Sequence, residues 1–144
     1  MVEQDTIRLL RECDAGIKMG ISSIDEVLEY VISESLKKYL TDGKEEHEKL
    51  NAELRAILKD YHDYGKDPNP IAKGMSWLKT NVKLVVNESD ETIADLITDG
   101  CNMGVKSLNQ YLNQYTAADE QSKDLTKRLI RLEEHLAKDI RRYL

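Results

Sequence analysis

The sequence predicts an all-α fold, and three observations carry that expectation. Apolar residues recur at steps of three and four along four stretches, as on the buried stripe of a packed helix. No segment sustains the alternation of a strand. Glycine and proline number 7 and 2 in 144 residues, too few for a turn-rich β fold or a long flexible linker. The length fits a single domain over 1–144, and 40% hydrophobic residues suffice for a core. The expected plan is a four-helix bundle: a hairpin over 5–64, a crossover over 65–89, and a second hairpin over 90–144.

The first helix is expected from Asp5 to about Val31, with Leu10, Cys13, Ile17, Gly20, Ile24, Val27 and Val31 on its stripe. Ser33 can cap a second helix running to about Tyr64, carrying Leu36, Leu40, Gly43, His47, Leu50, Leu54, Ile57 and Tyr61. Gly65 reads as the residue just past its end. Asn69 followed by Pro70 opens a short crossover helix to about Val85, with Lys73, Trp77, Lys79 and Lys83 along it. Asn87 to Glu91 is a start signal for the third long helix, to about Tyr115, bearing Ile93, Leu96, Ile97, Cys101, Val105, Leu108, Leu112 and Tyr115. Thr116 and Asp119 resemble a capping box before a last helix with Leu125, Leu129, Leu132, Leu136, Ile140 and Tyr143 inward. Short hairpin loops make the helices of each pair antiparallel neighbours, and the crossover is long enough to travel the bundle.

Charge and composition exclude several classes. A net charge of −6 argues against general nucleic-acid binding, which needs cationic surface. No apolar run approaches the roughly 18–20 residues of a membrane span, so no membrane partner is expected. The acidic, polar start Met1-Val2-Glu3-Gln4-Asp5 is unlike a signal peptide, and a cytoplasmic location follows as the expectation. There is no phosphate-binding glycine loop and no nucleophile elbow. Homo-oligomerisation stays open.

The cysteines and histidines carry the one site-like pattern. Cys13 and Cys101 stand 88 residues apart, and so do His47 and His135. The same shift carries Gly16 onto Gly104, Lys18 onto Lys106, Glu45 onto Glu133 and Glu46 onto Glu134 without a gap. Two duplicated helical hairpins are therefore expected, related by a pseudo-two-fold axis near which repeated residues meet.

With that crossover and duplication the chain resembles the ferritin-like superfamily, in particular its small, uncharacterised bacterial four-helix-bundle proteins. The resemblance implies a ferritin-like fold, in which di-iron members carry one Glu on each first helix and Glu-x-x-His on each second. This sequence departs from that pattern. The residues three before His47 and His135 are Lys44 and Leu132, Cys13 and Cys101 stand nearest the first-helix Glu positions, and Glu12 falls on Gly100. The implied iron site is degenerate.

Two functions follow as expectations. The first is a non-enzymatic bundle protein acting by binding or assembly, with the cysteines as small buried hydrophobes and His47 a core-edge histidine hydrogen-bonded to a Glu on a neighbouring helix. The alternative is a metalloprotein in which Cys13, His47, Cys101 and His135 converge on one zinc or iron, with redox activity an accompanying option. In that reading the pairs Glu45-Glu46 and Glu133-Glu134, with Glu46 and Glu134 foremost, are candidates to orient the imidazoles from behind. A redox pair between Cys13 and Cys101 is a third reading.

Overall fold

A computed structural model describes residues 2–66 and 89–144. Within them lie α1 (Val2–Leu28), α2 (Glu34–Asp60), α3 (Asp90–Gln114) and α4 (Glu120–Asp139), followed by a 3-10 turn at Arg141–Tyr143. No strand occurs among the described residues, and no helix there is long and apolar enough to cross a membrane. The crossover helix expected between Asn69 and Val85, with Lys73, Trp77, Lys79 and Lys83, lies outside the described residues.

Helices α2, α3 and α4 each start where a short polar side chain satisfies a free amide of the first turn. Ser33 Oγ accepts from the Leu36 N–H at 3.3 Å, and Ser89 Oγ from Thr92 at 3.2 Å. The fourth helix is capped by Asp119, which accepts from Ser122 at 2.8 Å, and not by Thr116. The reason is tertiary. The Ala117 N–H donates to Asp5 Oδ2 at 3.0 Å and the Asp119 N–H to Thr6 Oγ1 at 2.8 Å, so the loop is held against the foot of α1 before the helix begins.

Helix α2 also ends earlier than its periodicity suggests. The His62 N–H donates to the Lys59 carbonyl and the Asp63 N–H to the Leu58 carbonyl, with His62 in left-handed backbone at φ 57. That is a Schellman close with histidine in the place where glycine was expected. Gly65 does have a positive φ of 88, but for another purpose. Its backbone lies so close to Asp14 that a Cβ would overlap the carboxylate. Asp14 is fully buried and accepts from Lys18 Nζ at 2.7 Å, Asn51 Nδ2 at 2.9 Å and the Lys66 N–H at 3.0 Å. A buried carboxylate with three donors is satisfied, and it pins the chain leaving α2 to the side of α1.

Hydrogen bonds at the ends fix the directions of the helices. The Ile32 and Ser33 N–H groups donate to the Asp90 carboxylate at 2.8 and 2.9 Å, so α3 begins at the head, beside the α1–α2 turn. Since α2 finishes at the foot, the link from α2 to α3 connects opposite ends. Helix α1 packs on α2 and α3, α4 packs on the same two, and α1 and α4 touch across the diagonal. All four edges of the bundle are consequently antiparallel, while α1 and α4 run the same way.

The core has two apolar clusters. Toward the head, Ile24, Val27, Leu36, Leu40, Ile93, Leu96, Ile97, Cys101, Leu136 and Ile140 pack together. Toward the foot, the cluster comprises Leu10, Cys13, Ile17, Leu50, Leu54, Leu58, Leu108, Leu125, Leu129 and Ile130. On all four helices the boundary between them falls at one level.

Ile17 and Leu54 are fully buried in the foot cluster, so truncating either to Ala removes transfer energy and leaves a cavity. Urea unfolding should show a loss of about 2–5 kcal/mol for each variant; midpoints equal to the parent's would mean the inward faces are assigned wrongly.

Candidate functional site

The boundary between the clusters is polar. His47 lies on the buried stripe of α2, one turn after Gly43 and one turn before Leu50, and is 1% exposed. Glu133 occupies the facing position on α4, four residues after Leu129 and three before Leu136, and is 9% exposed. Their Nε2 and Oε1 atoms are 2.5 Å apart. The other imidazole nitrogen, Nδ1, is 2.7 Å from the Gly43 carbonyl oxygen.

These two contacts settle where the hydrogens sit. A carbonyl oxygen only accepts, so Nδ1 carries a hydrogen and donates it to Gly43. The short Nε2···Oε1 contact then needs one proton between its atoms, on the imidazole or on the carboxyl. Burial pulls the His47 pKa down, but the hydrogen bond and charge of Glu133, with the Gly43 carbonyl, override it and hold the pKa above its usual range.

Glycines on the other two helices make the room. A Cβ on Gly20 of α1 would stand 3.0 Å from His47 Nε2, and one on Gly104 of α3 would stand 3.7 Å from Glu133 Oε2. Cys101 of α3 completes the layer from the head side. Burial, followed by the charge of Glu133 and a hydrogen bond to it, pushes this thiol well up.

The four expected metal ligands are not brought together. Cys13 sits in the foot cluster and bonds Thr126 Oγ1 at 3.2 Å, while Thr126 donates its own hydroxyl hydrogen to the Ser122 carbonyl at 2.8 Å. The Cys13 thiol is therefore the donor, and burial above all pushes its pKa up to about 12. Cys101 sits in the head cluster. His47 is buried, but the His135 side chain is 73% exposed and pairs at 3.3 Å with Asp139 on its own helix. That donor set does not fit a shared tetrahedral ion, because His135 points away from the interior that holds the other three. Among the described residues no group of three or more His, Cys, Asp or Glu side chains is placed to hold a metal ion. Glu46 and Glu134 are both exposed, and Glu46 accepts from Lys49 at 3.2 Å.

The carboxylate that orients the imidazole is Glu133, the inward member of the expected pair Glu133-Glu134. Its signal was present in the sequence: an acid between Leu129 and Leu136 on the inward stripe of α4. The 88-residue register named the pair Glu133-Glu134 without saying which member faces inward. Across the antiparallel helices α2 and α4 the residue facing His47 is Glu133, and the helix caps Ser33 and Asp119 stand 86 residues apart. Gly16, matched to Gly104 by the sequence register, faces open space; Gly20 is the glycine that meets the polar layer. No protein-family model, curated protein or solved structure matches this chain.

Breaking the pair should cost far more than replacing it. Glu133→Leu strands a buried imidazole hydrogen-bonding atom, and an unfolding loss of about 3–5 kcal/mol is expected. The double variant His47→Leu/Glu133→Leu should recover most of that loss, since apolar replacement of a buried pair is often neutral or stabilising. Additive losses in a double-mutant cycle would show that the two side chains do not depend on each other.

Proposed function

We propose that this chain is a non-enzymatic, ferritin-like bundle protein that acts by binding or assembly, with a hydrogen-bonded proton pair at the centre of its interior. The observation that carries this reading is the His47–Glu133 pair itself. The inward imidazole and carboxylate, the groups a di-iron bundle would offer to its metals, are committed to each other and to Gly43.

Other features support it. The order and directions of the helices match a bundle with one end-to-end crossover, the ferritin-like arrangement. Gly20 of α1, Gly104 of α3, His47 of α2 and Glu133 of α4 stand at one level, where a two-fold axis between duplicated hairpins would cross the bundle. Both thiols are buried and held in the protonated form, which suits packing better than nucleophilic or redox work. Two free cysteines with no disulfide between them suit a reducing compartment such as the cytoplasm.

Protein purified without chelator should carry no stoichiometric zinc or iron by emission spectroscopy, and its thermal midpoint should be the same with and without EDTA. One ion per chain, with a midpoint that falls on chelation, would overturn this reading in favour of the metalloprotein. The assembly part is read by light scattering: a mass that is a multiple of 16.5 kDa supports self-assembly, and a monomer leaves a binding role.

A further inference from the structure

We propose that the His47–Glu133 layer is a proton-operated joint, which when deprotonated lets the head half of the bundle open and exposes Cys101 while the foot half stays closed. The placement of the layer motivates this. Every residue of the head cluster lies on one side of the pair and every residue of the foot cluster on the other, along all four helices. The pair thus interrupts the apolar core, and the two sides adhere through it.

Both halves have ties of their own, but the foot has more: the head has Asp90 with the Ile32 and Ser33 N–H groups, and Ser35 with Tyr143. The foot is held by contacts independent of the pair: Asp14 with Lys18, Asn51 and the Lys66 N–H, and Asp5 and Thr6 with the α3–α4 loop. At the level of the pair, α4 meets α2 through the shared proton. Without it, the neutral imidazole has one hydrogen for two acceptors, the Gly43 carbonyl and Glu133 Oε1, so one of the two short buried contacts sets lone pair against lone pair and becomes repulsive. The groups facing the imidazole are the Gly43 carbonyl on α2, Gly20 of α1, the Cys101 thiol and Gly104 of α3, and Glu133 of α4. The nearby Asp25–Lys44 ion pair is on the partly exposed outer side of α1 and α2.

The sign follows from linkage. The folded state raises the His47 pKa above its ordinary 6.5, so the pair's contribution is complete below that pH. It is lost as the pH rises through the higher, folded value. Over that interval opening releases one proton, so the opening equilibrium constant grows about tenfold per pH unit. The thiols titrate later: each starts from 9.0 and is raised by burial.

The test is alkylation by iodoacetamide between pH 6 and 9. Cys13 and Cys101 are read separately by peptide mass spectrometry, and each rate is divided by that of the same thiol in urea-unfolded protein. The normalised Cys101 rate is expected to climb by about tenfold per pH unit above about pH 6.5, and to outrun that of Cys13. In His47→Gln the titrating imidazole is gone, and in Glu133→Gln the carboxylate that raises its pKa is gone, so in both the climb of the normalised Cys101 rate above about pH 6.5 should disappear. Equal normalised rates for the two thiols would mean one global opening and would overturn the joint. So would a flat Cys101 rate in the parent, a reading that needs neither variant to fold, or a rise that persists in the variants. The proposal does not rest on the binding or assembly role, which metal analysis and light scattering test separately.

Discussion

One buried proton, held between His47 and Glu133, sets the register of this bundle. Four apolar stripes alone leave helices free to slide by a turn, because leucine packs against leucine in many offsets. The pair removes that freedom for α2 against α4, since a slip of one turn would bury an imidazole and a carboxylate apart. Such pairs are weak evidence of net stability, as desolvation offsets much of their attraction. Their better-attested use is to make alternatives costly, and here the alternative excluded is every other offset of α4 along α2. The glycines follow from the same constraint. Gly20 and Gly104 stand where any larger side chain would enter the space that the pair occupies.

The foot of the bundle solves a related problem with a different group. Asp14 is as buried as His47, yet it faces neither apolar cluster's centre; it collects donors from α1, α2 and the chain that leaves α2. Lys18 bridges to the same chain through the Lys66 carbonyl at 3.3 Å. The chain must turn back up after α2, and Asp14 fixes where it does so. Gly65 is required there because the backbone passes against the carboxylate in a conformation that L side chains rarely adopt. The head has its own anchor in Asp90, which joins the α1–α2 turn to the start of α3. Each end is therefore tied by an aspartate accepting from backbone amides, and the middle by the His–Glu pair.

The sequence made local features legible and left rotational ones obscure. Ser33 acts as a cap because capping depends on a few adjacent residues, and the same holds for Ser89 within the anticipated start signal. The stripes of α1, α2 and α3 emerged because many apolar residues vote together. Which member of the Glu133-Glu134 pair faces inward did not, because neighbouring residues on a helix differ in direction by about 100°. An error of one position, Glu134 for Glu133, exchanges the core for solvent. Repetition of residue types gave no protection. His135 matches His47 in sequence, but α4 turns that position outward, where Asp139 meets it as an ordinary surface pair. The end of α2 was obscure for another reason: His62 takes a left-handed conformation that glycine usually supplies, so the residue type did not announce it.

The two cysteines show how one residue type is made inert by different surroundings. Cys13 gives its hydrogen to Thr126, whose own hydrogen is committed to Ser122, so a chain of neutral donors ends at a helix carbonyl. Cys101 lies beside a carboxylate, and a thiolate there would meet like charge as well as burial. Neither environment supplies the cation or helix N-terminus that activates a thiol. The interior's chemistry is consequently that of holding protons in place. In the His47–Glu133 layer this holding has a mechanical consequence, because the atoms that share the proton belong to different hairpins. The shared proton is there one of the contacts between the hairpins, beside the packing of Leu136 on Gly43.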